Sequence, residues 1–213
     1  MTRKQRYELL IEHFDQSTLA LETELHYRTP FELLVAVVLS AQCTDKRVNL
    51  ASPALFDAYP TPESMSKADF DLLFPLIKSI SYPNNKTKHL LGLSKMLVKD
   101  FNGEVPLNID DLQKLPGVGR KTANIIVSVL DEQPAMAVDT HVFRVSKRIG
   151  LVTLKATTPL EVEKQLVKHF PEKAIYKAHY WLILHGRYTC LARTPKCGEC
   201  KVTHLCRFFH QNN

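Results

Sequence analysis

The sequence predicts an all-α fold, because helix start signals recur along its 213 residues and no useful length alternates polar and apolar residues as a strand does. The segment Thr29-Pro30-Phe31-Glu32 combines an N-cap hydroxyl, a proline at the first helical position and a glutamate at the third. Thr158-Pro159-Leu160-Glu161 repeats this combination. A hydrophobic fraction of 45% fits a globular chain.

The helix that follows Thr29 is apolar on all sides. One face carries Phe31, Leu34, Val35, Val38 and Leu39, and the opposite face carries Leu33, Ala36 and Val37. A helix without a polar face is normally buried. We therefore expect this helix to be the centre of the core.

Further helix boundaries are indicated by caps and spacing. Thr61-Pro62 starts a helix, and Asn108 caps a short one that ends near Leu115. A new helix is then marked by the spacing of its apolar residues Ile125, Ile126, Val129 and Leu130. Helix ends are expected at Gly103, Gly150 and Gly186.

The charge balance favours a polyanionic partner. Lys plus Arg number 28 against 22 Asp plus Glu, a net charge of +6. The excess is concentrated: residues 114–148 hold six basic and three acidic side chains, and residues 185–213 hold five basic side chains and one acidic. The N-terminus lacks the apolar stretch of a secretory signal, and no run is apolar enough to span a membrane, so we expect a cytoplasmic protein, associated with the nucleoid if bacterial.

Four of the five cysteines are crowded near the C-terminus, at Cys190, Cys197, Cys200 and Cys206. Thiols this close favour a metal or cluster site in a reducing compartment over a disulfide framework. Four thiolates can hold a tetrahedral zinc ion or an iron–sulfur cluster. Zinc sites more often show two C-x2-C pairs, whereas only one is present here. The fifth, Cys43, is expected to be a small core residue.

A glycine-rich turn lies between the two helices around residue 117, in Leu115-Pro116-Gly117-Val118-Gly119-Arg120-Lys121. Gly117 and Gly119 would permit positive φ and a close approach of the backbone to an anion. The N-terminus of the next helix adds the positive end of a dipole. The segment predicts a helix-hairpin-helix that binds a phosphate and does not read the base sequence.

These motifs together resemble the endonuclease III family of DNA base-excision glycosylases with strand-cleaving lyase activity. The resemblance rests on the segments Ser40-Ala41-Gln42-Cys43-Thr44-Asp45, Leu115 to Asn124, Val138-Asp139-Thr140-His141, Trp181 to Tyr188 and the cysteine tail, and it covers nearly the whole chain. It implies two helical lobes that flank a DNA-binding cleft: a six-helix barrel over residues 23–133, and a lobe of residues 1–22 and 134–213.

The resemblance also implies the cofactor and the chemistry. The four clustered cysteines would hold a [4Fe-4S] cluster, whose basic loop, with Arg193, Lys196 and Lys201, would contact the DNA backbone. Lys121 would attack C1′ of an oxidised pyrimidine nucleotide. Asp139 would accept the lysine proton and stabilise positive charge on the sugar. A free lysine amine is almost fully protonated at neutral pH, and both the neighbouring Arg120 and the helix start disfavour that charged form.

Several further residues correspond to family positions that contact DNA. Gln42 matches a glutamine that fills the gap left by the flipped base, and Asp45 would line the lesion pocket. Tyr82 stands where the family often has an intercalating leucine. Asn84-Asn85-Lys86 and the residues before them resemble the family loop that enters the duplex. Contacts with DNA are assigned to Gly117, Gly119, Arg120, His141 and Arg144. For His141 the alternatives are binding of a phosphate, positioning of Asp139, and a capping or packing role.

The implied activity is excision of oxidised pyrimidines from damaged double-stranded DNA followed by strand cleavage, by a monomer that needs no membrane. An adenine-specific mismatch glycosylase is the nearest rival, but that family lacks the lysine and carries a further C-terminal domain. A non-catalytic helix-hairpin-helix protein is another rival, and it would require neither Lys121 nor Asp139.

Overall fold

The computed structural model describes residues 1–16 and 22–212. Its helices are α1 (Arg3–Asp15), α2 (Pro30–Ser40), α3 (Asp45–Ala58), α4 (Pro62–Ser66), α5 (Phe70–Ile77), α6 (Pro83–Asp100), α7 (Ile109–Leu112), α8 (Arg120–Asp131), α9 (Thr140–Ile149), α10 (Pro159–His169), α11 (Glu172–Tyr188) and α12 (Arg207–Asn212). Two 3-10 turns, Cys197–Glu199 and Thr203–Leu205, precede α12. The described residues contain no strand, which confirms the all-α class.

The helices form two compact units. The central unit is Thr23–Asp131, and the terminal unit combines the described residues of Met1–Glu22 with Glu132–Asn213. Across the described ranges, every helix falls short of the length and apolarity that a membrane crossing requires.

Helix α2 organises the central unit, where it packs against α3, α6 and α8. Every residue from Phe31 to Leu39 is buried, which confirms the prediction of a core helix. Its N-terminus differs in one detail from the expected reciprocal cap. The Thr29 hydroxyl accepts from Glu32 N, but the buried Glu32 carboxylate accepts from the backbone N–H of Arg28 at 2.6 Å and pairs with its guanidinium.

The other predicted starts are also present. Thr61 and Thr158 form reciprocal capping boxes, and Asn108 accepts from Asp111 N at 2.8 Å to begin α7. Helix α7 is shorter than expected and ends at Leu112, because a turn then leads to Leu115.

Two of the three expected glycine ends are observed. Gly150 caps α9 with φ +94°, and the Gly103 N–H closes the end of α6 on the carbonyl of Leu97 at 2.9 Å. The expectation for Gly186 is wrong, because α11 continues through it to Tyr188. The close packing of α11 on α9 explains that glycine instead.

The terminal unit is built around α9 and α11, which pack on each other. Helix α1 packs against α11, and α10 and α12 pack against α9. Trp181 of α11 is fully buried and stacks on Phe14 of α1 at 5.8 Å between ring centroids. The terminal unit therefore has a core of its own, which positions the start of α9 and the cysteine segment.

Candidate functional site

The predicted hairpin joins α7 to α8 in the central unit. Gly117 has φ +82°, and the Val118 N–H donates to the carbonyl of Leu115 at 3.0 Å. A Cβ at Gly117 would lie 2.9 Å from the Cβ and ring of His89 on α6. Only glycine therefore fits at position 117 without strain.

Gly119 is different. It is not in the left-handed region, which corrects the expectation of positive φ at both glycines. Apart from Gly119 itself and its two chain neighbours, no heavy atom of the described residues lies within 4 Å of the position that a Cβ would take. The packing and backbone of the free protein thus do not explain the glycine, whereas a ligand that must approach the backbone closely would.

The side chains of Arg120 and Lys121 are exposed at the N-terminus of α8. The helix begins immediately after Gly119, whose carbonyl accepts from Ala123 N at 2.9 Å. The first N–H groups of a helix have no intrahelical acceptor, so this end of α8 attracts an anion. The proposed nucleophile thus lies beside a phosphate-attracting backbone.

Asp139 is the N-cap of α9. Its Oδ1 accepts from the backbone N–H groups of His141 and Val142, each at 2.8 Å. Both bonds use the same oxygen, so Oδ2 is not part of the cap. The cap therefore fixes the orientation of a half-buried carboxylate and leaves one oxygen for chemistry.

His141 is held by its neighbours on α9 and α11. Arg144 Nη2 lies 3.2 Å from His141 Nδ1. Because a guanidinium only donates, Nδ1 must accept, and in the neutral ring the proton lies on Nε2. A Cβ on Gly186 would lie 2.7 Å from the Cβ of His141, so the glycine permits the close approach of α11 to α9.

Arg144 has a different environment from the one expected of a DNA contact. Its Nε donates to the carbonyl of Cys190 at 3.1 Å, its Nη1 to Thr140 at 3.3 Å and its Nη2 to Gly186 at 2.9 Å. This internal bonding favours a structural role, in which Arg144 joins the start of α9 to the end of α11 and to the first cysteine.

The Gln42 segment connects α2 to α3. Gln42 is exposed with φ +55°, and Thr44 caps α3 by accepting from Arg47 N at 3.3 Å. Asp45 is the first residue of α3 and is half-buried. Cys43 is also half-buried, which corrects its assignment to the core.

Tyr82 is the N-cap of α6 and is 62% exposed, with φ +57° and ψ +50°. The residues Asn84-Asn85-Lys86 belong to the first turn of α6 rather than to a loop. The loop proper ends at Tyr82, because Pro83 occupies the first helical position. The aromatic ring thus projects from the junction of loop and helix.

The four clustered cysteines lie around one pocket in the terminal unit. Its other lining residues include Ile149, His185, Val202, Phe208 and Phe209. None of these four cysteines forms a disulfide. Burial raises the pKa of Cys200 and Cys206. Among residues 1–16 and 22–212 no three or more His, Cys, Asp or Glu side chains converge as a single metal ion would require.

Donors around this pocket suit sulfur ligands. Arg148 Nη1 lies 3.5 Å from Cys190 Sγ, and the same side chain donates to the carbonyls of Leu191 and Ala192 at 2.6 and 2.7 Å. His185 Nε2 lies 3.8 Å from Cys200 Sγ, and burial lowers the pKa of His185 to about 4. Four thiols within an apolar enclosure with hydrogen-bond donors to sulfur fit an iron–sulfur cluster.

The basic side chains predicted to face DNA here are exposed: Arg193, Lys196 and Lys201. Lys196 has an ionic partner, since its Nζ is 4.0 Å from a Glu199 carboxylate oxygen. The sequence did not indicate that the side chains of Arg148 and the buried Lys86 donate to the backbone. Their acceptors are backbone carbonyls distant in the chain, which leave no local pattern.

Comparison with known proteins supports the family resemblance seen in the sequence. The model of the HhH-GPD superfamily base excision DNA repair protein matches residues 35–172, and that of the iron–sulfur binding domain of endonuclease III matches residues 190–206. Endonuclease III of Rickettsia prowazekii (strain Madrid E) is 48% identical over 200 residues, 94% of this chain and 93% of that protein. Endonuclease III of Bacillus subtilis (strain 168) is 50% identical over 186 residues, 87% and 84% of the two chains.

A solved structure is also closely similar. The trapped endonuclease III–DNA covalent intermediate, an estranged-adenine complex, has a TM-score of 0.89 at 44% identity and covers 100% of this chain and 99% of its own. The match over residues 190–206 confirms the predicted iron–sulfur cofactor. The chain belongs to the endonuclease III family of HhH-GPD base excision DNA repair proteins.

Proposed function

We propose that this protein excises oxidised pyrimidines from duplex DNA and then cleaves the strand at the abasic site, with Lys121 as the nucleophile and Asp139 as its partner. The observation that carries the proposal is the Asp139 cap, which orients a carboxylate through Oδ1 and leaves Oδ2 unused by the cap. Family membership supplies the reaction class, and the exposed Lys121 supplies an amine beside a phosphate-attracting helix start.

The chemistry requires the damaged nucleotide to leave the base stack, because C1′ is otherwise inaccessible. The neutral Lys121 amine forms a bond to C1′ while the bond between C1′ and the base breaks, and the base takes the electron pair. Asp139 accepts the proton lost by the amine and stabilises positive charge on the sugar. The bond from C1′ to O4′ then breaks, O4′ takes up the proton held by Asp139, and the nitrogen lone pair completes a protonated Schiff base between Lys121 and C1′. Loss of a C2′ proton then breaks the bond from C3′ to oxygen and cuts the strand 3′ to the lesion.

The remaining groups hold the DNA. Gly119 and the start of α8 bind backbone phosphate. Because Arg144 lies against Nδ1 of His141, the Nε2–H of the neutral ring would be the group that donates to another phosphate. Cys190, Cys197, Cys200 and Cys206 would hold the iron–sulfur cluster, which would fix the loop that presents Arg193, Lys196 and Lys201 to the DNA backbone. We expect the protein to act as a monomer, and its substrate would place it with the chromosome, in the cytoplasm of a bacterium.

Borohydride trapping separates the two catalytic groups. Duplexes carrying thymine glycol, a preformed abasic site, or adenine opposite 8-oxoguanine are offered to the wild type, to Lys121→Gln and to Asp139→Asn. The exposed Lys95 on α6 supplies the control Lys95→Gln. Lys121→Gln should lose covalent trapping on thymine glycol and abasic DNA and still bind both, because the glycine turn and basic surface remain.

Asp139→Asn keeps the oxygen that caps α9 and removes the charge. Excision of thymine glycol should slow by roughly 100- to 1,000-fold, as when other transition-state stabilisers are lost. Cleavage of a preformed abasic site should slow less, because no base has to leave. Trapping by Lys121→Gln at the wild-type rate would refute the assignment, and preference for the adenine mismatch would favour the rival glycosylase.

A further inference from the structure

The residues Ser40, Ala41, Gln42 and Cys43 form a tight turn at the end of α2. The Cys43 N–H donates to the carbonyl of Ser40 at 3.0 Å. Ala41 has φ −58° and ψ +114°, and Gln42 has φ +55°. These angles are close to those of a type II turn, whose third residue needs positive φ and is usually glycine. Gln42 is therefore held in a conformation that costs a non-glycine residue free energy.

The side chain of Lys86 stabilises this turn from inside the central unit. Lys86 is only 5% exposed. Its Nζ donates to the carbonyl of Leu39 at 2.8 Å and to that of Ala41 at 2.7 Å. Burial lowers the pKa of Lys86, and the nearby Cys43 opposes this effect. Two acceptors match the two N–H donors that even a neutral amine retains, so both bonds persist in either protonation state.

Lys86 completes the hydrogen bonding at the end of α2. The final helical carbonyls have no intrahelical partner and need another donor. The carbonyl of Val38 accepts from Ala41 N and that of Ser40 from Cys43 N. The carbonyl of Val37 accepts from the Ser40 hydroxyl, which leaves Leu39 to Lys86. One of the two bonds thus serves the helix, whereas the bond to Ala41 serves the turn.

The Ala41 carbonyl belongs to the peptide between the two central residues of the turn. Type I and type II turns differ chiefly in the orientation of this peptide, and type I places the third residue at negative φ. A donor fixed on the Ala41 carbonyl therefore opposes the flip that would release the strain at Gln42. The flip would also redirect the Gln42 side chain.

Lys86 also lies one helical turn from Tyr82. Its backbone N–H donates to the carbonyl of Tyr82 at 3.2 Å, which is the first hydrogen bond of α6. Gln42 and Tyr82 are both exposed, and both have positive φ. In the described ranges, Asn102 and Glu132 are the only other non-glycine residues with positive φ. One buried residue thus contacts both strained, exposed positions, of which the family resemblance assigns Gln42 to the gap left by the flipped base and Tyr82 to the intercalating position.

We propose that Lys86 is a positioning residue for the excision reaction: it holds the turn from Ser40 to Cys43 in the type II form and so aims Gln42, at a fixed distance from Tyr82, into the gap left by the flipped base. This inference rests on the proposed function. Lys86 itself need not touch DNA.

A double-mutant cycle tests the proposal in the holoenzyme. Lys86→Met, Gln42→Ala and the double variant are compared in single-turnover excision of thymine glycol, with 2-aminopurine opposite the lesion to report filling of the gap. Lys95→Met is the matched control, because Lys95 is an exposed lysine on the same helix. Iron content and thermal unfolding confirm that each variant is folded.

If Lys86 acts through Gln42, Lys86→Met and Gln42→Ala should each slow excision by about tenfold, and the double variant should be no slower than Gln42→Ala. The 2-aminopurine signal should change equally in all three, and Lys95→Met should match the wild type. Additive losses, or a Lys86→Met variant as fast as the wild type, would overturn the proposal.

The proposal can also be tested if a Lys86 variant fails to fold. If Lys86→Met does not fold, Lys86→Gln replaces it: its amide keeps N–H donors inside the unit, but its side chain is one bond shorter and should not hold both carbonyls, so excision should still slow. Failure of both would overturn the positioning role, since Lys86 would then serve the fold as a whole. A wild-type protein that excises no thymine glycol would instead refute the proposed function, and the role of Lys86 would fall with it.

Discussion

Gly117 and Gly119 lie two residues apart in the hairpin, and the structure gives them different reasons to be glycine. Gly117 has φ +82° and packs against His89. Gly119 has no positive φ, and among the described residues beyond its chain neighbours none lies within 4 Å of the position that a Cβ would take. We predict that Gly117→Ala damages the fold, and that Gly119→Ala damages DNA binding alone.

The magnitude of each effect follows from these contacts. At Gly117 an alanine would cost about 1–2 kcal/mol for the left-handed backbone. The contact of 2.9 Å with the Cβ of His89 must be relieved by movement of α6 or the turn, which adds about 1–3 kcal/mol. The free energy of unfolding should therefore fall by about 2–5 kcal/mol. At Gly119 it should change little or rise by about 0.4–1 kcal/mol, because alanine restricts the unfolded chain.

The assay combines urea unfolding, followed by circular dichroism, with binding of an undamaged duplex, followed by fluorescence anisotropy at several salt concentrations. Gly119→Ala should unfold like the wild type and bind about tenfold more weakly, because its methyl group occupies the path of the phosphate. Gly117→Ala should unfold at lower urea. Wild-type binding by Gly119→Ala would refute the inferred phosphate approach, and wild-type stability of Gly117→Ala would refute the packing argument.

Two further predictions concern the terminal unit. Lys201→Ala should lower the slope of log binding constant against log salt by about 0.9, the effect of one phosphate contact. Lys196→Ala should lower this slope less, because a Glu199 carboxylate oxygen already lies 4.0 Å from the Lys196 Nζ. Equal slopes for the wild type and both variants would contradict the assigned surface. Gly186→Ala would place a Cβ 2.7 Å from that of His141. It should lower the unfolding free energy by about 1–3 kcal/mol and slow excision more than it weakens binding, whereas an unchanged unfolding midpoint would contradict the packing of α11 on α9.

Local interactions explain why much of the fold was predictable. The capping boxes at Thr61 and Thr158 and the Asn108 cap are made within four residues, so the sequence alone specifies them. The buried helix α2 was likewise predictable, because a helix that is apolar on all sides has no surface to offer water. The close spacing of the four clustered cysteines indicated a metal or cluster, and the family resemblance indicated iron and sulfur.

Nonlocal packing explains what the sequence did not predict. Gly186 looked like a helix end, but α11 passes through it because His141 on α9 approaches too closely for any side chain. Arg144 was assigned to DNA, and nothing in the sequence indicated that its guanidinium also donates to the carbonyl of Cys190, 46 residues further along the chain. Such partners depend on which helices meet, and helical periodicity does not specify that.

The sequence by itself determined the helical class, the main helix starts, the cysteine site and, through its resemblance, the family and the reaction. Only the tertiary structure decided which oxygen of Asp139 remains outside the cap and why Gly117 and Gly119 differ. It also decided that Lys86 donates a hydrogen bond to the Ala41 carbonyl. The physical reason is that a cap or a cysteine pair is encoded by residues a few positions apart, whereas the direction of a buried donor depends on contacts between residues that lie far apart in the chain.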